Sequence, residues 1–170
     1  MKWIGALLLL STTTWAGFEW SKRLSDRPKH IRQLINALQI LEAEIVYSQR
    51  PLKDAFFVIG KQLPAPASDL FTQLAMQLEQ RGSDLPAVWS STIEAWTLQA
   101  NLAKNEKEIL LQFGATLGQH DFTQQKKHIQ LALHHLEREM HEARDQHLKY
   151  AKLAKSLGVL AGLFLIILLF

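Results

Sequence analysis

The feature that most constrains this chain is where its apolar residues lie: both ends are oily and the long middle is polar. Trp3 to Trp20 reads WIGALLLLSTTTWAGFEW, with Glu19 as its only charge. As a helix this stretch rises about 26 Å, close to the roughly 30 Å of a bilayer's hydrocarbon core. Trp at both rims suits the amphipathic preference of indole for the membrane interface. Leu157 to Phe170 reads LGVLAGLFLIILLF, about 21 Å as a helix. Lys152 and Lys155 have long apolar stems that snorkel, so such a helix can enter the bilayer a turn earlier. The pattern predicts transmembrane helices over residues 1–21 and 153–170, flanking a body over residues 22–152 that ends in a long stalk helix.

Each end has a second reading. Met1 to Ala16 has the outline of a secretory signal, with Thr14-Trp15-Ala16 as a poor cleavage site. Against cleavage, the apolar run continues past Ala16 and Lys22, Arg23 and Arg27 follow at once, where positive charge resists translocation. A cleaved signal would leave a C-terminally anchored, extracytoplasmic domain. The C-terminal run can also be read as a buried core helix, but it is apolar on every face and a body this small lacks a core to enclose it.

Charge orients the whole. Lys22, Arg23, Arg27, Lys29 and Arg32 lie just inside the first oily run, and Lys149, Lys152 and Lys155 just before the last. Lys2 alone lies outside them. The positive-inside rule then places the body in the cytoplasm, with the basic flanks against anionic headgroups. The net charge of +3 does not point to nucleic acid: residues 33–148 carry ten Lys or Arg against fourteen Asp or Glu, a net of −4. No Cys is present, which excludes a disulfide framework, a thiolate zinc site and a thiol nucleophile. With 48% hydrophobic and 21% charged residues, the chain is not a disordered one.

The middle reads as helices throughout, since no period-two run of useful length occurs. Ser25 and Asp26 are expected to cap a helix with Pro28 in its first turn. Ile31, Leu34, Ile35, Leu38, Leu41 and Ile45 mark its inner face. Pro51 opens a second helix with Leu52, Ala55, Phe56 and Ile59 inward and Gly60 as its stop. Pro64-Ala65-Pro66 is a short rigid link. Ser68 and Asp69 cap a third, bearing Leu70, Phe71, Leu74 and Leu78 and closed by Gly82. Ser83 or Asp84 opens a fourth, with Val88, Trp89, Ile93 and Trp96. A fifth runs from about Leu102 to Leu117, with Ile109, Leu110 and Phe113 inward and Gly118 following. Asp121 caps the longest, whose seam steps Ile129, Leu133, Leu136, Met140, Ala143, His147, Tyr150, Ala154, Leu157. That helix either continues into the membrane or breaks near Lys152. The fold class is all-α: a helical bundle of about six helices between two membrane anchors.

Catalytic signatures are missing. Gly60-Lys61 is followed by Gln62 and lacks the earlier glycine of a phosphate loop. No Gly-x-Ser-x-Gly, Gly-x-Gly-x-x-Gly or His-Glu-x-x-His occurs. The chain is therefore expected not to be an enzyme, and no cofactor is expected. The one alternative is a bundle-type metal site on His134, Glu137 and His141, which share a face at i, i+3 and i+7. Such sites need carboxylates from other helices; none is identifiable, and the three lie off the apolar seam, so a solvated face is the preferred reading. Gly158 and Gly162, with Thr13 and Gly17 on the first run, offer small-residue ridges for membrane helices to pack, within one chain or between chains.

The segments TTWAGFE (13–19), RPKHIRQLINALQILEAEI (27–45), PL (51–52), FGATLGQHD (113–121), KHIQLALHHLE (127–137) and KSLG (155–158) together resemble the stage III sporulation protein AB family of endospore-forming bacteria, over nearly the whole chain. The resemblance implies a mother-cell membrane protein, in the outer forespore membrane, of a secretion-like complex spanning mother cell and forespore. It implies a cytoplasmic helical domain similar to that of the inner-membrane platform protein of type II secretion and type IV pilus systems. It also implies an ATPase partner of the same operon, with other membrane components. Platform proteins carry two copies of the domain and this chain carries one, so a homo-oligomer is expected to restore the second. Glu106, Glu108, Glu137 and Glu142 are candidates to meet a basic ATPase surface, or else form a solvated face.

Overall fold

The computed structural model describes residues 2–81, 84–118 and 122–169; toward both ends only some side chains are described. Six helices follow in order: α1 Lys2–Val46, α2 Leu52–Gln62, α3 Ala67–Arg81, α4 Leu85–Thr97, α5 Lys104–Thr116 and α6 Phe122–Leu169. The described residues contain no strand. The contacts divide the chain into two compact units, one of Met1–Pro28 with His141–Phe170, the other of Lys29–Met140.

The second unit is the helical body. Its part of α1 buries Ile31, Leu34, Ile35, Leu38, Leu41 and Ile45, the full stripe expected from three-four spacing, and Ala37 with them. The apolar stripe decides the helix's orientation, because each fully buried Leu or Ile contributes about 1.5–3 kcal/mol over its exposed state. The start of α1 differs from expectation: Pro28 lies inside the helix, and no cap interrupts it at Ser25 and Asp26. Proline costs the helix one hydrogen bond, and helix formers on both sides propagate through that loss. α1 ends at Val46, and in the turn that follows Gln49 takes φ 50, in the left-handed region. There the Arg50 N–H bonds the Glu44 carbonyl at 3.1 Å, and the two side chains pair at 2.9 Å.

α2 buries Ala55, Phe56 and Ile59. Gly60 is not its stop. The helix runs on to Gln62 and ends because Leu63 precedes Pro64, which forces Leu63 extended at φ −99, ψ 153. Gly60 serves packing instead: a Cβ there would lie 3.2 Å from the Thr72 backbone nitrogen and 3.3 Å from the Ser68 carbonyl, so α2 and α3 cross backbone to backbone. Lys53 and Glu79 bridge the same two helices at 3.0 Å in an exposed pair. The hydrogen bond that Lys53 donates to Glu79, then the carboxylate's charge, raise the lysine pKa above the ordinary 10.5. The link over Pro64 to Pro66 is held by Gln33 donating to the Ala65 carbonyl at 3.2 Å and Trp96 Nε1 donating to the Pro66 carbonyl at 2.9 Å.

α3 starts at Ala67, slightly before the expected caps, so Asp69 sits in its first turn facing the helix dipole favourably. Leu70, Phe71 and Leu74 are buried. α4 starts as expected: Asp84 caps it, its carboxylate accepting from the Ala87 N–H at 3.4 Å, with Pro86 in the first turn. Val88, Trp89, Ile93 and Trp96 are buried as expected, with Thr92 among them, its hydroxyl donating to the Val88 carbonyl at 2.7 Å.

Trp89 is the hub of the body. Its ring centroid lies 5.8 Å from Phe56, 6.3 Å from Phe71 and 5.5 Å from Phe113. These tilted and edge-on contacts join α2, α3, α4 and α5 in the arrangement aromatic quadrupoles favour. Its Nε1 donates to the Leu110 carbonyl of α5 at 2.7 Å, so the fully buried indole leaves no polar atom unsatisfied. The close approach is possible because residue 114 is Gly; a Cβ there would overlap the indole.

α5 and α6 run antiparallel. Asn105, at the start of α5, donates to the Glu139 carboxylate at 3.3 Å. At the other end Gly118, at φ 74, gives its N–H to the Gln125 side chain at 3.3 Å. The expected cap Asp121, the closing residue Gly82 and the alternative opener Ser83 lie outside the described residues. α6 buries Ile129, Leu133, Leu136 and Ala143 of the expected seam, and Met140 and His147 are half-buried. The seam does not extend to Tyr150, which is 53% exposed.

In the other unit, Arg27 donates to the Gln146 side chain at 2.9 Å, so the two terminal helical segments of one chain meet there. The side chains of Ala154 and Leu157 lie outside the described residues. Among the described residues, no helix is long and apolar enough to cross a membrane.

Candidate functional site

Among the described residues, no group of three or more His, Asp or Glu side chains converges as a metal site would require. His134, Glu137 and His141 share the face their spacing predicts, and all three are exposed on α6. The His134 ring centroid lies 6.2 Å from that of the next residue, His135.

The four acidic candidates separate. Glu108, Glu137 and Glu142 are exposed, Glu108 within 3.5 Å of Lys104 one turn earlier. Glu106 is not available to any partner, because it is fully buried. Register explains the difference. Glu106 stands four residues before Leu110 and seven before Phe113, so it shares the inward face of α5, whereas Glu108 is turned away. Glu139 is buried for the same reason, seven residues after Ala132 and three after Leu136. Its carboxylate accepts from Asn105 and pairs with Arg138 at 3.3 Å. Glu139, Gln125 and Thr92 are buried polar residues that the apolar pattern alone does not flag; helical register from known core neighbours does.

Among the basic flank, Arg27 is half-buried against Gln146, and Lys29, Arg32 and Lys149 are exposed. The side chains of Lys22, Arg23, Lys152 and Lys155 lie outside the described residues, as do the small-residue positions Thr13, Gly17, Gly158 and Gly162.

One concave surface was not anticipated. A half-open groove of about 210 Å³ runs between α5 and α6. α5 lines it with Ile109, Gln112, Phe113 and Thr116, and α6 with His128, Leu131, Ala132 and His135. Both sets fall at i, i+3, i+4 and i+7, so the groove is the seam between two antiparallel helices. Its sequence signal is an apolar residue beside each core position: Leu131 is 55% exposed between buried Ile129 and Leu133.

Comparison with known proteins fits this architecture. Residues 2–170 match the family described as stage III sporulation protein AB. A relative described as stage III sporulation protein AB, from Bacillus subtilis (strain 168), is 46% identical over 169 residues, covering 99% of each chain. A solved structure described as stage III sporulation protein AB (SpoIIIAB) is 43% identical and superposes with a TM-score of 0.68, covering 72% of this chain and 96% of that one. The chain therefore belongs to the stage III sporulation protein AB family.

Proposed function

We propose that this protein is a non-enzymatic membrane platform of the sporulation complex between mother cell and forespore. In this reading residues 1–21 and 153–170 anchor it in the mother-cell membrane around the forespore. The body faces the mother-cell cytoplasm and receives an ATPase, and α6 passes displacement toward the membrane as a continuous helix.

The observation that carries the reading is an apolar stripe on the last part of α6. Leu153, Leu160 and Phe164, spaced by seven and four residues, are 53%, 61% and 64% exposed. Single exposed apolar residues are ordinary, but three large ones on one helix face form a surface that lipid covers at no cost and water does not. Trp15 on α1 is also exposed, at 73%. Lys149 precedes the stripe on the side where anionic headgroups would lie. Most side chains of the two proposed spans lie outside the described residues.

The chain has no native Cys, so single cysteines report topology directly. In vegetative cells made to express the chain, a cysteine replacing Gln73, exposed on α3, is expected to react with an impermeant maleimide only after the membrane is opened, and one replacing Lys2 in intact cells. Labelling of position 73 in intact cells refutes the cytoplasmic body. Charge reversal at Glu108, Glu137 and Glu142 is expected to weaken retention of the partner ATPase; unchanged retention removes these residues from the interface and leaves the topology standing.

A further inference from the structure

We propose that Ser11, Thr12, Trp15 and Glu19 form a face of α1 on which a second copy of this chain packs, in parallel, within the membrane. The pairing rests on residues 1–21 spanning the bilayer, the reading given above.

The two terminal helices show different chemistry to their surroundings. The described side chains within residues 1–21 are Ser11, Thr12, Trp15 and Glu19, and all four are exposed. At 100° per residue they fall within an arc of about 100°. On the last part of α6 the exposed side chains are Leu153, Ser156, Leu160 and Phe164. Depth sharpens the contrast. Ser11 and Thr12 stand at the middle of 1–21, whereas the middle of 153–170 falls between Leu160 and Phe164. Ser156 lies nearer the inner end of its span. Hydrocarbon covers Leu and Phe at no cost but offers a hydroxyl no partner. The α6 face therefore suits lipid, and the α1 face suits protein. Thr13 and Gly17 fall on the opposite side of α1 in register, so this surface is separate from their small-residue ridge.

The chemistry of the face selects its own copy. Ser11, Thr12 and Glu19 each have an interaction within the chain. A hydroxyl nevertheless carries one proton and two lone pairs, so a bond along its own helix leaves acceptor capacity for a neighbour. Another hydroxyl at the same depth fits that capacity. The positive-inside rule gives every copy of this chain one orientation, so Ser11 and Thr12 of two copies meet at one level without a shift of register. Being donor and acceptor at once, hydroxyls complement themselves, as an interface between identical patches requires. Small side chains let the two backbones approach closely, and Trp15, 73% exposed, adds a broad ring to the contact. Glu19 lies at the inner boundary, with Lys22 and Arg23 at i+3 and i+4. A parallel pair thus gathers cations beside its two carboxylates instead of setting the carboxylates alone against each other.

The chain has no native Cys, so disulfide formation reads the pair directly. Full-length chains carrying Thr12→Cys or Leu160→Cys are expressed in vegetative cells and oxidised in isolated membranes with copper phenanthroline. Thr12→Cys is expected to give a disulfide-linked dimer in which two differently tagged copies co-purify, and Leu160→Cys to remain monomeric. In a Trp15→Cys chain, Ser11→Leu together with Thr12→Leu keeps the segment apolar enough to insert and should cut the dimer about tenfold. Leu153→Ala, on the lipid face, should leave it unchanged. Equal dimer through Leu160→Cys, a Thr12→Cys adduct with some other protein, or undiminished dimer after the two leucines enter overturns the proposal. So does the absence of dimer from chains that maleimide labelling finds inserted with the body inside. A chain that labelling finds not inserted overturns the membrane reading and the pairing together, so the two failures are told apart.

Discussion

Substituting Gly114 with Ala tests the packing of the body at its tightest point. Alanine is the better helix former by about 1 kcal/mol, so in a solvated α5 the change would stabilise. Here the new Cβ lands on the Trp89 indole. If the indole moves, it gives up its 2.7 Å bond to the Leu110 carbonyl, leaving a buried N–H unsatisfied at about 1–3 kcal/mol. If α5 moves instead, the overpacked core costs a further 1–3 kcal/mol or so. Because Trp89 also touches Phe56, Phe71 and Phe113, neither shift is local. Setting the propensity gain against either loss leaves a net destabilisation of up to about 2 kcal/mol. For a body of roughly a hundred residues that lowers the melting temperature by up to about 8–16 °C. Thermal unfolding of the full chain in neutral-lipid nanodiscs, followed by far-UV circular dichroism, reads it. A Trp89→Phe background should blunt the loss, with a coupling of about 1 kcal/mol or more. An alanine variant as stable as the parent would refute the account of why residue 114 is Gly.

Two further predictions use the same melting assay. Glu106→Lys should destabilise the body by about 3 kcal/mol or more, because it puts an ammonium where a fully buried carboxylate stands, whereas Glu108→Lys on the exposed face should change stability by no more than about 0.5 kcal/mol; equal effects would contradict the register of α5. The Lys53–Glu79 pair raises the lysine pKa above 10.5, so its stabilisation is present in full below 10.5 and is lost as pH rises through the higher folded value. The denaturation midpoints of the parent and of Lys53→Met should therefore differ near pH 9 and converge at still more alkaline pH, and a gap that widens there would reverse the sign of the linkage.

The core of α1 is legible in the sequence because six apolar residues at three-four spacing leave one orientation that buries them. The start of α4 is legible because Asp84 and Pro86 carry their cap chemistry locally. What escapes local reading is tertiary in origin. Gly60 looks like a helix stop, but its role is set by Thr72 on another helix, and the stop comes from Pro64. Pro28 looks like a first-turn residue, yet helix formers on both sides carry α1 through it. Glu106 looks like surface by its charge, while its register with Leu110 and Phe113 turns it inward. Tyr150 continues the heptad arithmetic of α6 beyond the point where the body supplies anything to cover it. The groove is the least legible feature, because it exists only once α5 and α6 lie side by side.

Two of the five tryptophans are native reporters in different surroundings. Trp89, fully enclosed by phenylalanines and hydrogen-bonded through its nitrogen, should emit at short wavelength and resist aqueous quenchers while the body is folded. Trp15 stands open on the terminal helix, and its emission should answer instead to brominated lipid or to iodide, according to which surrounds it. A chain keeping Trp89 or Trp15 as its single tryptophan, the other four replaced by Phe, would let light alone distinguish loosening of the body from a change at the anchor.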